Sequence, residues 1–296
     1  MLSRILPKFG TGAFMQHRPF LDGLDNPASR DSRHEQPSQQ FIVLNGGRIS
    51  CTTSGRGTPT VVLETGLMAD SDEWGPIQNA LSPYCRVFRY DRPGRGRSDP
   101  PVAVRDVTCI ATELHALLAA TKMPSPYLLV GHSFGGLIAG TFARRYRADV
   151  CGLVLVESMH PRQFDVFGDS FPPPSESDTP DQTRMRKFWQ GEWRAPQSTS
   201  ERLDLTGSLS ACLPIASLGA LPVTVITAES YSQSRFFSAA TRDPLQASWN
   251  TLQREWLLLS SHAVQIHARG AQHHVQRDRP DYVIEAVAAI LSGTHG

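Results

Sequence analysis

The segment Gly131-His132-Ser133-Phe134-Gly135-Gly136 stands between an apolar run at 127–130 and a helical pattern at 137–146. A G-x-S-x-G motif at a strand-to-helix turn holds its serine on a strained backbone. Glycines at 131 and 135 let neighbouring segments approach, so the Ser133 hydroxyl projects above the sheet edge. The N–H groups that open the following helix are aimed at negative charge. This is the arrangement of a serine nucleophile attacking a carbonyl carbon. The alternative is a glycine-rich turn without a catalytic role; the strand before it and the helix after it favour catalysis.

A serine hydroxyl needs a base, usually a histidine oriented by a carboxylate. Ten histidines compete. Where the nucleophile sits on such a turn, the base comes last in the chain, after the final strand. Gly270-Ala271-Gln272-His273-His274 occupies that loop. His273 is the expected base and His274 a packing or rim residue. His267 is expected within the strand, and His132 beside the nucleophile but pointing elsewhere.

From 41 to 291 the chain resembles the α/β-hydrolase superfamily. Besides the serine turn, Tyr90-Asp91-Arg92-Pro93-Gly94-Arg95-Gly96-Arg97-Ser98 is similar to the glycine-rich turn after the family's fourth strand. Gly270-Ala271-Gln272-His273 resembles the family's G-x-G-H, with Gln272 in place of the second glycine. The resemblance implies an oxyanion hole from the backbone N–H groups of Phe134 and Leu67. Leu67 follows Gly66 in the loop after the third strand, and Thr65 stands where many relatives have histidine.

The usual acid position, after the strand at 223–227, carries Tyr231 instead of aspartate. A subset of the family carries the acid one strand earlier, which implies Glu157. Glu229 is the alternative acid and Asp243 the third candidate. The loser would be a carboxylate supporting the site or anchoring a lid.

The implied activity is hydrolysis of an ester of a small, apolar substrate through an acyl-enzyme. Amide, thioester or C–C bond hydrolysis and acyl transfer to an alcohol use the same triad. A ligand-binding protein that kept the fold is the non-catalytic alternative. Serine rather than aspartate at 133 argues against haloalkane dehalogenase and epoxide hydrolase chemistry. No metal and no organic cofactor is required.

The elements that must position these residues alternate short apolar strands with helices, the pattern of a mostly parallel sheet. Residues 41–44 and 49–53 flank Asn45-Gly46-Gly47 and predict an opening hairpin. Strands are expected at 60–63, 86–90, 127–130, 152–156, 223–227 and 263–267, making an eight-stranded sheet flanked by helices. Val107, Ile110, Leu114, Leu117 and Leu118 share one helical face, and 281–291 predicts an amphipathic helix after Pro280.

Residues 159–221 are far longer than a crossover needs and predict a helical lid. Phe164, Phe167, Phe171, Phe188, Trp189 and Trp193 would wall an apolar pocket or pack the lid onto the core. His160 would line the pocket or cap the turn before Pro161. The domain plan is therefore a tail over 1–40 and one hydrolase domain over 41–296.

In 296 residues, 40% hydrophobic and 19% charged, the chain has ordinary globular composition. Its formal charge of +1, without a dense basic cluster, excludes a nucleic-acid partner. A small-molecule substrate is expected. Cys51, Cys85, Cys109, Cys151 and Cys212 lack any C-x-x-C pair. They fit neither a zinc site nor a disulfide framework, and a reduced cytoplasmic setting is the simpler reading.

Two uncharged stretches, 123–143 and 205–228, are broken by prolines and glycines, so no membrane span is expected. Arg4, Lys8 and Arg18 without an acid over 1–21 make a faint organellar-transit pattern. The alternative is a disordered or mis-started N-terminus with Met15 as another start.

Overall fold

A computed structural model describes residues 37–171, 173–176, 178–234 and 237–293. The tail expected over 1–40 lies outside them as far as residue 36. The strand β1 (Ser38–Leu44) begins at Ser38 rather than at 41, and pairs antiparallel with β2 (Gly47–Ser54) through the turn Asn45-Gly46. Both turn residues take positive φ, 50° and 81°, as a two-residue hairpin turn requires. Ser38, Gln39 and Gln40 carry no apolar pattern. The backbone ladder to Thr53, Thr52 and Cys51 holds them.

Eight strands form one sheet in the order β1-β2-β4-β3-β5-β6-β7-β8. The remaining strands are β3 (Thr60–Glu64), β4 (Arg86–Tyr90), β5 (Tyr127–His132), β6 (Val150–Val156), β7 (Val223–Ala228) and β8 (Ala263–Ala268). From β4 across to β8 every pair is parallel. Their residues alternate between two faces. Val62, Leu129, Leu153, Leu155 and Val225 join the core under α2 (Val107–Ala120) and α3 (Phe134–Arg145). Val61, Leu63, Leu128, Val130, Val154 and Ile226 join the other core, with α1 (Gly75–Leu81) and the C-terminal α9 (Pro280–Gly293). Buried on both faces, these strands read as continuous apolar runs.

Local signals set the helix starts. Asp106 caps α2 by accepting from the Cys109 N–H at 2.7 Å, and Pro280 occupies the first position of α9. Between β6 and β7 lie α4 (Gln163–Phe167), α5 (Pro180–Gln190) and α6 (Leu205–Ala211). Between β7 and β8 lies α7 (Ala239–Glu255), and α8 (Val275–Asp278) precedes α9. Phe167 and Phe171 pack against Phe237, Leu245, Trp249 and Leu252, joining the α4 region to α7. No helix of the described residues is long and apolar enough to cross a membrane.

Candidate active site

Ser133 sits between β5 and α3 with φ 51° and ψ −120°, a region costly for any residue with a side chain. Backbone bonds to the neighbouring strand end hold it there. Its N–H donates to the Val156 carbonyl at 3.0 Å, and its own carbonyl accepts from Met159 N–H at 2.9 Å. Gly135 lies so close to β3 that a Cβ would come within 2.5 Å of the carbonyl oxygens of Glu64 and Thr65. Glycine there lets α3 start hard against the loop after β3. Phe134 is the first residue of α3, so its N–H has no intrahelical acceptor.

Glu157 follows β6 with φ 45° and is fully buried. Its carboxylate accepts from Ala228 N–H at 2.6 Å, from Trp249 Nε1–H at 3.0 Å to each oxygen, and from the Ser230 hydroxyl. These three donors occupy both carboxylate oxygens. His273, in the loop after β8, places Nδ1 3.6 Å from Glu157 Oε2. That is just beyond hydrogen-bond length. The His273 side chain is 42% exposed. Its carbonyl meets His132 Nε2 at 2.8 Å, so the residue before Ser133 ties down the histidine loop. Burial, and then the neighbouring His273 and His274, hold the His132 imidazole well below its usual pKa.

Gly66 brings the loop after β3 against this turn: a Cβ on Gly66 would lie 2.9 Å from His132 Nδ1 and 3.3 Å from Ser133 Cβ. The adjoining residue is Leu67, and the loop has its own clamp. Arg92, with no exposed surface, donates to the carbonyls of Thr65 at 2.8 Å and Gly66 at 2.7 Å. It also pairs with Glu64 and Glu201, each at 2.6 Å. Glu201 in turn accepts from the Met68 N–H at 3.0 Å, beside a Met68 backbone at φ 58°. Burial pushes the Glu64 carboxyl above the usual carboxylate range, against the pull of Arg92.

The other candidates are placed apart from this grouping. Glu229 accepts from Gln233 Nε2 at 2.6 Å and from the Gly270 N–H at 3.4 Å, so it braces the base of the His273 loop. Asp243 is an exposed residue of the first turns of α7. Tyr231, at the usual acid position, stacks on Phe167 and meets Trp249 edge-on. His267 lies in β8.

His160 is buried; its Nδ1 accepts from the Arg162 N–H at 3.2 Å, so it caps the turn. The six aromatic residues of 159–221 largely contact one another: Phe164 stacks on Trp193 at 4.2 Å, Phe171 on Trp189 at 5.5 Å. Two surface cavities, one lined by Gly140, Thr141 and Cys212 and one by Arg48, Asp99 and Val102, include neither Ser133 nor His273.

Sequence reasoning passed over Trp249 and Ser230, the donors to Glu157, together with Arg92 and Glu201. An isolated tryptophan in a polar helix gives no period to detect. Arg92 sits inside a motif that reads as a structural turn.

Residues 61–286 match the alpha/beta hydrolase family, and the chain belongs to that family. YqjL of Bacillus subtilis (strain 168), a protein without a characterised activity, is 27% identical over 234 residues, covering 79% of this chain and 83% of its own. Among solved structures, ALR0039 of Nostoc sp PCC 7120 superposes with a TM-score of 0.64 at 15% identity, covering 86% of this chain and 98% of that one. A thermophilic esterase from Thermogutta terrifontis superposes with a TM-score of 0.58 at 18% identity, covering 88% and 100%. At such identities the structures speak for the fold alone.

Proposed function

We propose that this hydrolase-family chain is a serine hydrolase that cleaves an ester of a small, apolar substrate through an acyl-enzyme. The observation that carries the reading is Glu157: a buried carboxylate, held by three donors, facing His273 Nδ1 from the end of the strand beside Ser133.

Ser133 Oγ attacks the carbonyl carbon while its proton passes to Nε2 of His273, and Glu157 accepts the Nδ1–H and orients the ring. The oxyanion of the tetrahedral intermediate takes hydrogen bonds from the N–H groups of Leu67 and Phe134. Each such donor is worth about 3–4 kcal/mol in comparable sites. As the intermediate collapses, His273 returns the proton to the departing alkoxide and the acyl group stays on Ser133. Water then attacks, gives its proton to His273, and the acid leaves as Ser133 recovers its hydrogen. Residues 159–221 act as a lid, and the apolar Leu67, next to the Gly66 that abuts the serine turn, favours an apolar acyl group.

The test is hydrolysis of p-nitrophenyl esters of graded chain length, with labelling by a fluorophosphonate. Wild type should turn over and label, and Ser133→Ala should do neither. A folded wild type that neither labels nor gives a burst would end the proposal.

A further inference from the structure

Behind the nucleophile turn, three side chains converge. Glu73 lies in the short helix Ser71–Trp74 before α1, His132 at the end of β5, and His274 next to His273. His132 Nε2 is 2.8 Å from the His273 carbonyl, which can only accept, so the ring proton sits on Nε2 and Nδ1 carries a lone pair. That Nδ1 is 3.9 Å from Glu73 Oε1, too far for a hydrogen bond, and the two side chains are 1% and 2% exposed. The buried Nδ1 atoms of His132 and of His274, the latter 3.9 Å from Glu73 Oε2, have no hydrogen-bond partner among the described residues, while the Gly66 backbone and the Gln276 side chain also approach the Glu73 carboxylate. One ligand atom from each residue lies within 4.8 Å of the others. Arg277 reaches Glu73 Oε2 at 3.3 Å, which orients the carboxylate.

We propose that Glu73, His132 and His274 form a binding site for a divalent transition-metal ion of the Zn2+ class. Two imidazoles and one carboxylate suit zinc and its neighbours rather than Mg2+ or Ca2+. A ring whose other N–H is fixed on a carbonyl is the arrangement in which metal-bound histidines are found. Zn–ligand bonds of about 2.0–2.2 Å place ligand atoms roughly 3.3–3.7 Å apart, so the most widely spaced atoms, up to 4.8 Å apart, must close by about 1 Å to seat the ion. The nearby Arg277 cation opposes it, which makes the expected affinity micromolar rather than tighter. The ion takes no part in acyl transfer. It ties the segment before α1 to the serine turn and the histidine loop.

The test is calorimetric titration of the full chain with Zn2+ and separately with Mg2+, alongside the visible spectrum of the Co2+ form. One Zn2+ should bind per chain and raise the melting temperature, Mg2+ should not bind, and the Co2+ spectrum should lack a thiolate band. His274→Ala, at a half-exposed position, should keep its fold by circular dichroism yet lose at least tenfold in affinity, as should Glu73→Gln. Ser133→Ala and Cys109→Ser, the latter at an exposed thiol, should bind as wild type does. No zinc binding by wild type, binding unaltered in His274→Ala, or a thiolate band would overturn the proposal. None of these readouts depends on hydrolysis, so the outcome is separate from that of the serine-hydrolase reading.

Discussion

Replacing Glu157 by glutamine tests the acid assignment with little change in shape. The carboxylate now accepts on both oxygens: Oε1 from Ala228 N–H and Trp249, Oε2 from Trp249 and Ser230, with His273 Nδ1 3.6 Å from Oε2. A backbone N–H cannot turn away, so the amide oxygen stays on Ala228 and the new NH2 faces Ser230 and His273. The serine hydroxyl can rotate to accept. The imidazole adapts by presenting a lone pair at Nδ1, which puts its proton on Nε2, where the base must be free.

Trapping that tautomer in a comparable triad costs about 10⁴ in kcat, or about 5 kcal/mol at 1.36 kcal/mol per tenfold. We therefore expect kcat for p-nitrophenyl ester hydrolysis to fall about 10³–10⁴-fold with KM and melting temperature little changed. Glu229→Gln, which alters the contacts to Gln233 and to the Gly270 backbone, should lose less than about tenfold. Equal losses in the two variants, or a Glu157→Gln enzyme within tenfold of wild type, would refute the assignment.

Three further outcomes follow from the same contacts. Arg92→Met leaves Glu64 and Glu201 buried and unpaired, so urea denaturation at pH 7 should show a loss of about 3–5 kcal/mol; an unchanged midpoint would remove the clamp from the account. Gly135→Ala drives a Cβ into the Glu64 and Thr65 carbonyls, and soluble protein with wild-type turnover would contradict the close approach of α3 to the loop after β3.

His160, facing Glu255 at 3.3 Å and Arg162, is held neutral by burial, with its pKa lowered from 6.5 to about 4. Between those values the unfolded chain takes up a proton that the folded chain refuses. Its contribution is therefore complete above pH 6.5 and is lost as pH falls toward 4, about 2 kcal/mol between pH 7 and 5. Denaturation at the two pH values should show this slope, and His160→Asn should flatten it.

The sheet was legible because its signals are local and redundant. Buried parallel strands read as apolar runs, Asn45-Gly46 has few uses outside a hairpin, and Gly131 to Gly136 demands a tight turn from strand to helix. α7 was not legible. Its apolar residues Leu245, Trp249 and Leu252 meet Phe167 and Phe171 from a segment over 70 positions away, and Pro244 within it reads as a breaker. The aromatic residues of 159–221 were visible, but not their pairing with one another.

By itself, the amino-acid order determined the serine turn, the histidine loop and the class of sheet that carries them, since each depends on residues adjacent in the chain. What distinguishes the carboxylates from one another is found only in three dimensions. Glu157 and Glu229 both end strands, and what separates them is the company they keep. Ala228, Ser230 and Trp249 turn their donors onto Glu157 and aim it at His273, whereas Glu229 holds the Gly270 backbone. The same holds for Arg92, whose partners at 64 and 201 come from distant segments. A carboxylate's role depends on the donors and charges within a few ångströms, and only the folded chain brings those together.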